Sequence, residues 1–247
     1  MKFLKRFTFI ALATSLFVAP GCKKDGDDGT DLAKLSLEFA FKVGSEDLVF
    51  GDNYEINGKM VNFEAANYYI GGLKMTQEDG TTIDLSQNYL LAGLGNSANV
   101  QGELQLSNLV TTSFFVGVDA ATNMQTETDF TARPSGDPLG VQDPAMHWNW
   151  MTGYKFLRID GSVDTDADGM PDTPIAYHLG SAAMLKNLEF NQTITIKGGD
   201  NTLTFELDVE KFFTGVDLAV EVDTHTGNNL PLAERLRDNL ETSLTIN

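Results

Sequence analysis

The stretch LSLEFAFKV, residues 35 to 43, decides the fold class. Leu35, Leu37, Phe39, Phe41 and Val43 alternate with Ser36, Glu38, Ala40 and Lys42. An extended chain puts all five apolar side chains on one face, whereas a helix would scatter them. The stretch reads as a half-buried strand. Outward from it the same signature recurs: ANYYIGGLKMTQEDGTTIDL reads as two strands joined by a turn at Asp79-Gly80. VQGELQLSNL, TTSFFVGVDA and GYKFLRIDG add further strands, as do LEFNQTITI and NTLTFELDV, with Gly198-Gly199-Asp200-Asn201 as a turn between the last two. Late in the chain, NNLPLAERLRDNL places Leu232, Leu236 and Leu240 at four-residue spacing behind Pro231, which suits a first helical turn. The expected fold is all-β: an antiparallel β-sandwich with inserted loops and a short C-terminal helix.

The first residues are expected to lie outside that domain. A basic start (Lys2, Lys5, Arg6), an apolar run from Phe7 to Val18 and small residues before Cys22 form the three parts of a secretory signal peptide, here residues 1–21. The run is too short to span a bilayer. Ala19-Pro20-Gly21-Cys22 resembles the lipobox of bacterial lipoproteins, which makes Cys22 the expected lipidation site and the lipid the membrane contact. Residues 22–33 read as a flexible acidic tether, whose composition suggests the outer membrane and its outer surface, and residues 34–247 as one domain. Cys22 is the single cysteine, so the mature domain is held together by burial without disulfides.

Formal net charge is -18, and losing Lys2, Lys5 and Arg6 with the leader deepens it by three to -21. Nucleic acid is repelled by such a surface and is excluded as a partner. No G-x-S-x-G, H-E-x-x-H, P-loop or dinucleotide fingerprint occurs, and an enzyme is not expected.

AMHWNW, residues 145 to 150, holds both tryptophans. In extended geometry Met146, Trp148 and Trp150 share one face, and His147 and Asn149 the other. Taken alone, two indoles on one strand face are most often core. The longer pattern carries a resemblance. FFVGVDAATN, the loop DPLGVQDP, the run AMHWNWMTGYKFLRIDG and then AYHLGS, with FAFKVGSEDLVFGDNY and FEAANYYIGGLKM before them, resemble the MbnP-like family of exported bacterial proteins over residues 35 to 216. The resemblance implies copper handling and a di-haem partner enzyme of the MauG type, which oxidises a tryptophan of its protein partner to kynurenine. It points to Trp148 or Trp150 as the oxidisable residue and to His178 as a metal ligand. This chain departs from the metal-associated branch in having no cysteine in the mature domain and Met124 where a histidine is expected. Copper(I) accepts thioether and imidazole donors, so Met124, Met146, His147 and His178 are chemically eligible, and each is also an ordinary structural residue. His225, in DTHTGNN, is expected to be solvated.

SVDTDADGMPDTP supplies a separate candidate. Asp164, Asp166 and Asp168 alternate, Gly169 permits a sharp turn and Asp172 follows, a spacing that can wrap calcium. Ile175 stands where an EF-hand has its bidentate glutamate, so the loop is closer to the D-x-D-x-D-G loops of extracellular proteins. The alternative to copper handling is therefore a calcium-stabilised cell-surface binding or adhesion module with no copper site.

Overall fold

The computed structural model describes residues 14–16, 32–105, 107–149 and 152–247. Cys22, the tether up to residue 31 and Trp150 lie outside the described residues.

The strand that decided the fold class runs Ala33–Val43, and its buried residues are Ala33 and the five alternating apolar positions. It occupies the centre of a sheet ordered Thr14–Leu16, Ser97–Leu104, Ala33–Val43, Gly199–Asp208 and Leu244–Ile246, with Glu46–Asp47 also paired to it. A second sheet runs Lys186–Ile194, Leu109–Val116, Lys59–Gln77, Leu157–Val163, Thr173–Leu179 and Asp223–Thr224. Its long central strand Lys59–Gln77 also pairs with Asn53–Ile56, Thr82–Asp84 and Leu90–Gly93. The two sheets face one another across an aromatic core. Phe205 of the first packs edge-on against Phe114 of the second at 5.4 Å, and Phe41 meets Tyr68 at 5.8 Å.

Most neighbouring strands are antiparallel, but Ala33–Val43 runs parallel to Gly199–Asp208, Thr173–Leu179 parallel to Asp223–Thr224, and Thr14–Leu16 parallel to Ser97–Leu104. The Gly198-Gly199-Asp200-Asn201 connection passes from one sheet to the other, so the strands flanking it are not a hairpin. The C-terminal helix is Leu230–Ser243, capped by Asn229, whose side chain accepts the Leu232 N–H. Leu232, Ala233, Leu236 and Leu240 form its buried stripe. Short helices at Ala120–Asn123, Glu127–Thr131 and Val209–Phe212 were not anticipated; Asp119, Thr126 and Asp208 cap them.

One irregularity shapes the functional face. Where Leu157–Val163 pairs with Lys59–Gln77, Asp160 opposes Ala65 and Gly161 opposes Phe63, leaving Glu64 as the extra residue of a bulge. The backbones approach so closely there that a Cβ on residue 161 would run into the Asn62 carbonyl oxygen. Gly161→Ala is expected to destabilise the domain by about 2 kcal/mol, the usual scale of overpacking. Urea unfolding checks it, as a lowered midpoint with an unchanged slope.

Candidate metal centre

The candidate site is built on the outer face of the second sheet. Leu157, Ile159, Gly161 and Val163 turn inward, as do Ile175, Tyr177 and Leu179 on the antiparallel neighbour. Arg158 and Asp160 therefore share the outer face with His178, and Arg158 stands directly opposite His178 in the register. Outer-face residues of a sheet normally meet water, yet His178 is only 7% exposed. The edge strand Asp223–Thr224 explains part of this cover. It pairs Asp223 with Ala176 and Thr224 with Tyr177 in parallel, so one residue further along each chain His225 comes beside His178.

The two imidazoles meet through Nδ1 atoms 3.0 Å apart. His225 is itself exposed, and its backbone N–H donates to Asn228 Oδ1 at 2.6 Å. Thr226, next in sequence, has φ +62, a left-handed conformation that is unfavourable for a β-branched residue. Its hydroxyl offsets that cost by donating to the His178 carbonyl and accepting from Gly180 N–H at 3.0 Å. The bend aims His225 back at the sheet.

On the opposite side of His178, Nε2 lies 2.6 Å from Asp160 Oδ1. The other Asp160 oxygen accepts from Arg158 Nε. Arg158 Nη1 reaches the Ala145 carbonyl at 2.9 Å, and Lys155 Nζ reaches the same oxygen at 3.0 Å. Burial opposes ionisation of Asp160, but the hydrogen bonds and charges of His178 and Arg158 outweigh it and hold the carboxyl below its ordinary range. Burial also pushes the His178 imidazole down, against the pull of Asp160 and with the help of Lys155 and His225, so it is neutral at pH 7. Burial lowers the Lys155 ammonium as well, and Arg158 adds to that shift.

The tryptophan segment closes the other flank. His147–Asn149 pairs with Gly153–Tyr154 through an irregular register. The half-buried Trp148 lies with its six-membered ring against Gly180, where a Cβ would collide with that ring and with the Tyr154 carbonyl. The segments named for the resemblance interlock at this point. Tyr154 N–H donates to Asn123 Oδ1 at 2.8 Å, Tyr154 OH donates to the Leu139 carbonyl at 2.7 Å, and Phe156 N–H donates to the Leu179 carbonyl. Asp119 caps the helix that carries Asn123 and accepts a hydrogen bond from Tyr89 OH.

The sequence-derived candidates thus separate. His178 meets a second imidazole, that of His225, which is solvent-exposed as its polar loop suggests and also reaches the sheet. His147 packs between the rings of Phe130 and Tyr154, with centroids 4.8 and 4.9 Å away. Burial, with Lys155 adding to it, lowers its pKa. Met146 is buried in the hydrophobic core, and Met124 is 80% exposed at the end of the Ala120–Asn123 helix. Trp148 borders the His178 strand, and Trp150 is outside the described residues. No local signal marks His225, because its position depends on the parallel pairing of a two-residue strand.

In the acidic loop, carboxylate oxygens of Asp164, Asp166 and Asp168 converge within 4.8 Å of one another, and Asp172 is not among them. Asp164 is buried, and its two oxygens accept the backbone N–H groups of Ala167 at 2.7 Å and Gly169 at 2.8 Å. Burial opposes its charge, and these backbone donors overcome that and lower its pKa.

A β-sandwich with a pair of imidazoles at one sheet edge, backed by a carboxylate, is the class of protein that fold and site define. The MbnP family model matches residues 33–229, and the chain belongs to the MbnP family. No curated protein matches it. Among solved structures, MbnP from Methylosinus trichosporium is similar in fold, with a TM-score of 0.51 and 18% sequence identity over 75% of this chain and 79% of that one.

The lowered imidazoles set a pH dependence for the metal-free protein. The unfolded chain takes up protons near pH 6.5, while His178 and His147 in the fold resist them to lower pH. Their contribution to stability is full above about pH 6.5 and is lost as pH falls below it, by up to about 1.4 kcal/mol per unit for each group. Urea midpoints at pH 7 and pH 5.5 check this, and His178→Gln should narrow the difference.

Proposed function

We propose that this chain is an exported, lipid-anchored, copper-binding member of its family, holding the metal between His178 and His225. The observation that carries the reading is the 3.0 Å approach of two Nδ1 atoms, one of them on a histidine whose far nitrogen is held by a carboxylate. A metal-bound histidine generally has such a partner on its other nitrogen. His178 and His225 would hold the metal through their Nδ1 atoms, whose 3.0 Å separation fits two metal–imidazole bonds of about 2 Å. Imidazole suits copper in both common oxidation states, and copper would supply one-electron chemistry at the protein surface. The chain's own part is to bind and orient, and catalysis belongs to a partner.

Trp148 is the favoured indole for conversion to kynurenine by a di-haem enzyme of the MauG type. It is partly accessible and lies against Gly180, two residues beyond His178. Anchoring through Cys22 to the outer membrane would present this face to such a partner. Peptide mass spectrometry of protein taken from its native cells tests the modification. With dioxygen or peroxide as the oxidant at the partner's haems, the Trp148 peptide is expected to have lost one carbon, released as formate, and gained one oxygen, and unchanged indoles would defeat this part of the reading.

The second reading, a calcium-stabilised surface module, is favoured by the convergence of Asp164, Asp166 and Asp168. Because backbone donors already occupy both Asp164 oxygens, calcium would bind weakly, in about the millimolar range typical of extracellular modules. Calorimetry separates the two. Copper is expected to give a one-to-one endpoint that His178→Ala and His225→Ala each abolish. Heat from calcium alone, lost in Asp164→Asn, would replace copper handling with the second reading.

A further inference from the structure

The two histidines of the pair are not equivalent, and the groups behind them say why. Asp160 pairs with the Arg158 guanidinium, and a carboxylate in such an ion pair only accepts hydrogen bonds. The hydrogen between it and His178 Nε2 therefore belongs to the imidazole. With its hydrogen on Nε2, toward Asp160, His178 turns the lone pair of Nδ1 toward His225. His225 Nδ1 stands 3.0 Å from that lone pair, and two bare lone pairs at this distance would repel. His225 must then carry its own proton on Nδ1 and donate it to His178. The reverse assignment would turn the His178 Nε2 lone pair toward a carboxylate.

Resting on the copper reading above, we propose that Arg158 and Asp160 are positioning residues that fix His178 in the Nε2–H form, making it the preset ligand and His225 the adjustable one. Arg158 holds one carboxylate oxygen and leaves the other for His178, so the carboxylate cannot rotate away. A second donor, Nη1 on the Ala145 carbonyl, ties this clamp to the segment that carries Trp148. With a metal ion held by both Nδ1 atoms, His178 would keep its proton on Nε2. His225 would lose its Nδ1 proton to solvent and take one from solvent on Nε2, which its exposed place in the loop allows.

Asp160→Asn breaks the device without removing a ligand. An amide can donate as well as accept, so it no longer dictates which His178 nitrogen bears hydrogen. Loss of such a partner weakens metal binding by about 10- to 100-fold. Asp160→Glu keeps a carboxylate and should recover part of the affinity.

The test is nitrogen-15 NMR of histidine-labelled protein, read first without metal and then with copper(I), which is diamagnetic. In the metal-free protein His178 is expected to show hydrogen on Nε2 and His225 on Nδ1. Copper(I) should move the His225 proton to Nε2 and leave the His178 pattern unchanged, while Asp160→Asn should give His178 a mixed pattern before any metal is added. A metal-free wild-type spectrum with hydrogen on His178 Nδ1 would overturn the inference even if copper binds. The expected metal-free pattern together with no copper response would remove the copper reading and leave the assignment of His178 standing. The wild-type spectrum needs no variant to fold, and Asp160→Glu provides the affinity comparison should Asp160→Asn be unstable.

Discussion

A carboxylate clamped between a guanidinium and an imidazole organises everything around it. Asp160 is largely removed from water, and an ion in that position costs several kcal/mol unless partners satisfy it. Arg158 supplies the opposite charge from two residues away on the same strand face, and His178 supplies a hydrogen bond from the neighbouring strand. Removing either would leave a buried charge short of a partner, so the register between these strands is held by more than its backbone ladder. The bulge at Glu64 lies beside Asp160, whose pairing partner on the long strand is Ala65. Side-chain chemistry and sheet irregularity are thus local to each other.

The same face shows how a sandwich acquires a second interior. Its main core lies between the sheets, among Phe41, Tyr68, Phe114 and Phe205. The outer face of one sheet becomes partly dry because two further pieces lie over it: the turn after Asp223–Thr224 and the segment through Trp148. Neither is a long element. Each is fixed by a few directed contacts, such as the Thr226 hydroxyl on His178 and Gly180 and the Arg158 and Lys155 donors on Ala145. That construction suits a site that must be precise in its donors and still open to the surface.

The period-two pattern of residues 35 to 43 and the leucine spacing behind Pro231 were readable because each depends on residues adjacent in sequence. The short helices were partly readable. Thr126 and Asp129 form a reciprocal capping box, a local signal, although the helix it starts is only five residues long. Family resemblance brought out His178, and Arg158 and Asp160 lay in a recognised strand without any sign of their role. His225 was out of reach. Its ring meets His178 across 47 residues, through a parallel pairing that local composition does not encode. The acidic loop was legible in its alternating aspartates, whereas the exclusion of Asp172 depends on where Pro171 and the next strand carry the chain.

Gly180 bears on how such a protein can change over evolutionary time. Its lack of a side chain is what lets an indole ring rest on the backbone just past His178, beneath the carbonyl of Tyr154. A lineage that lost the glycine would have to shrink residue 148 or move the ring into solvent. Positions 148 and 180 should therefore drift as a pair among relatives, and a glycine retained beside a smaller residue 148 would record a tryptophan that an ancestor once kept there.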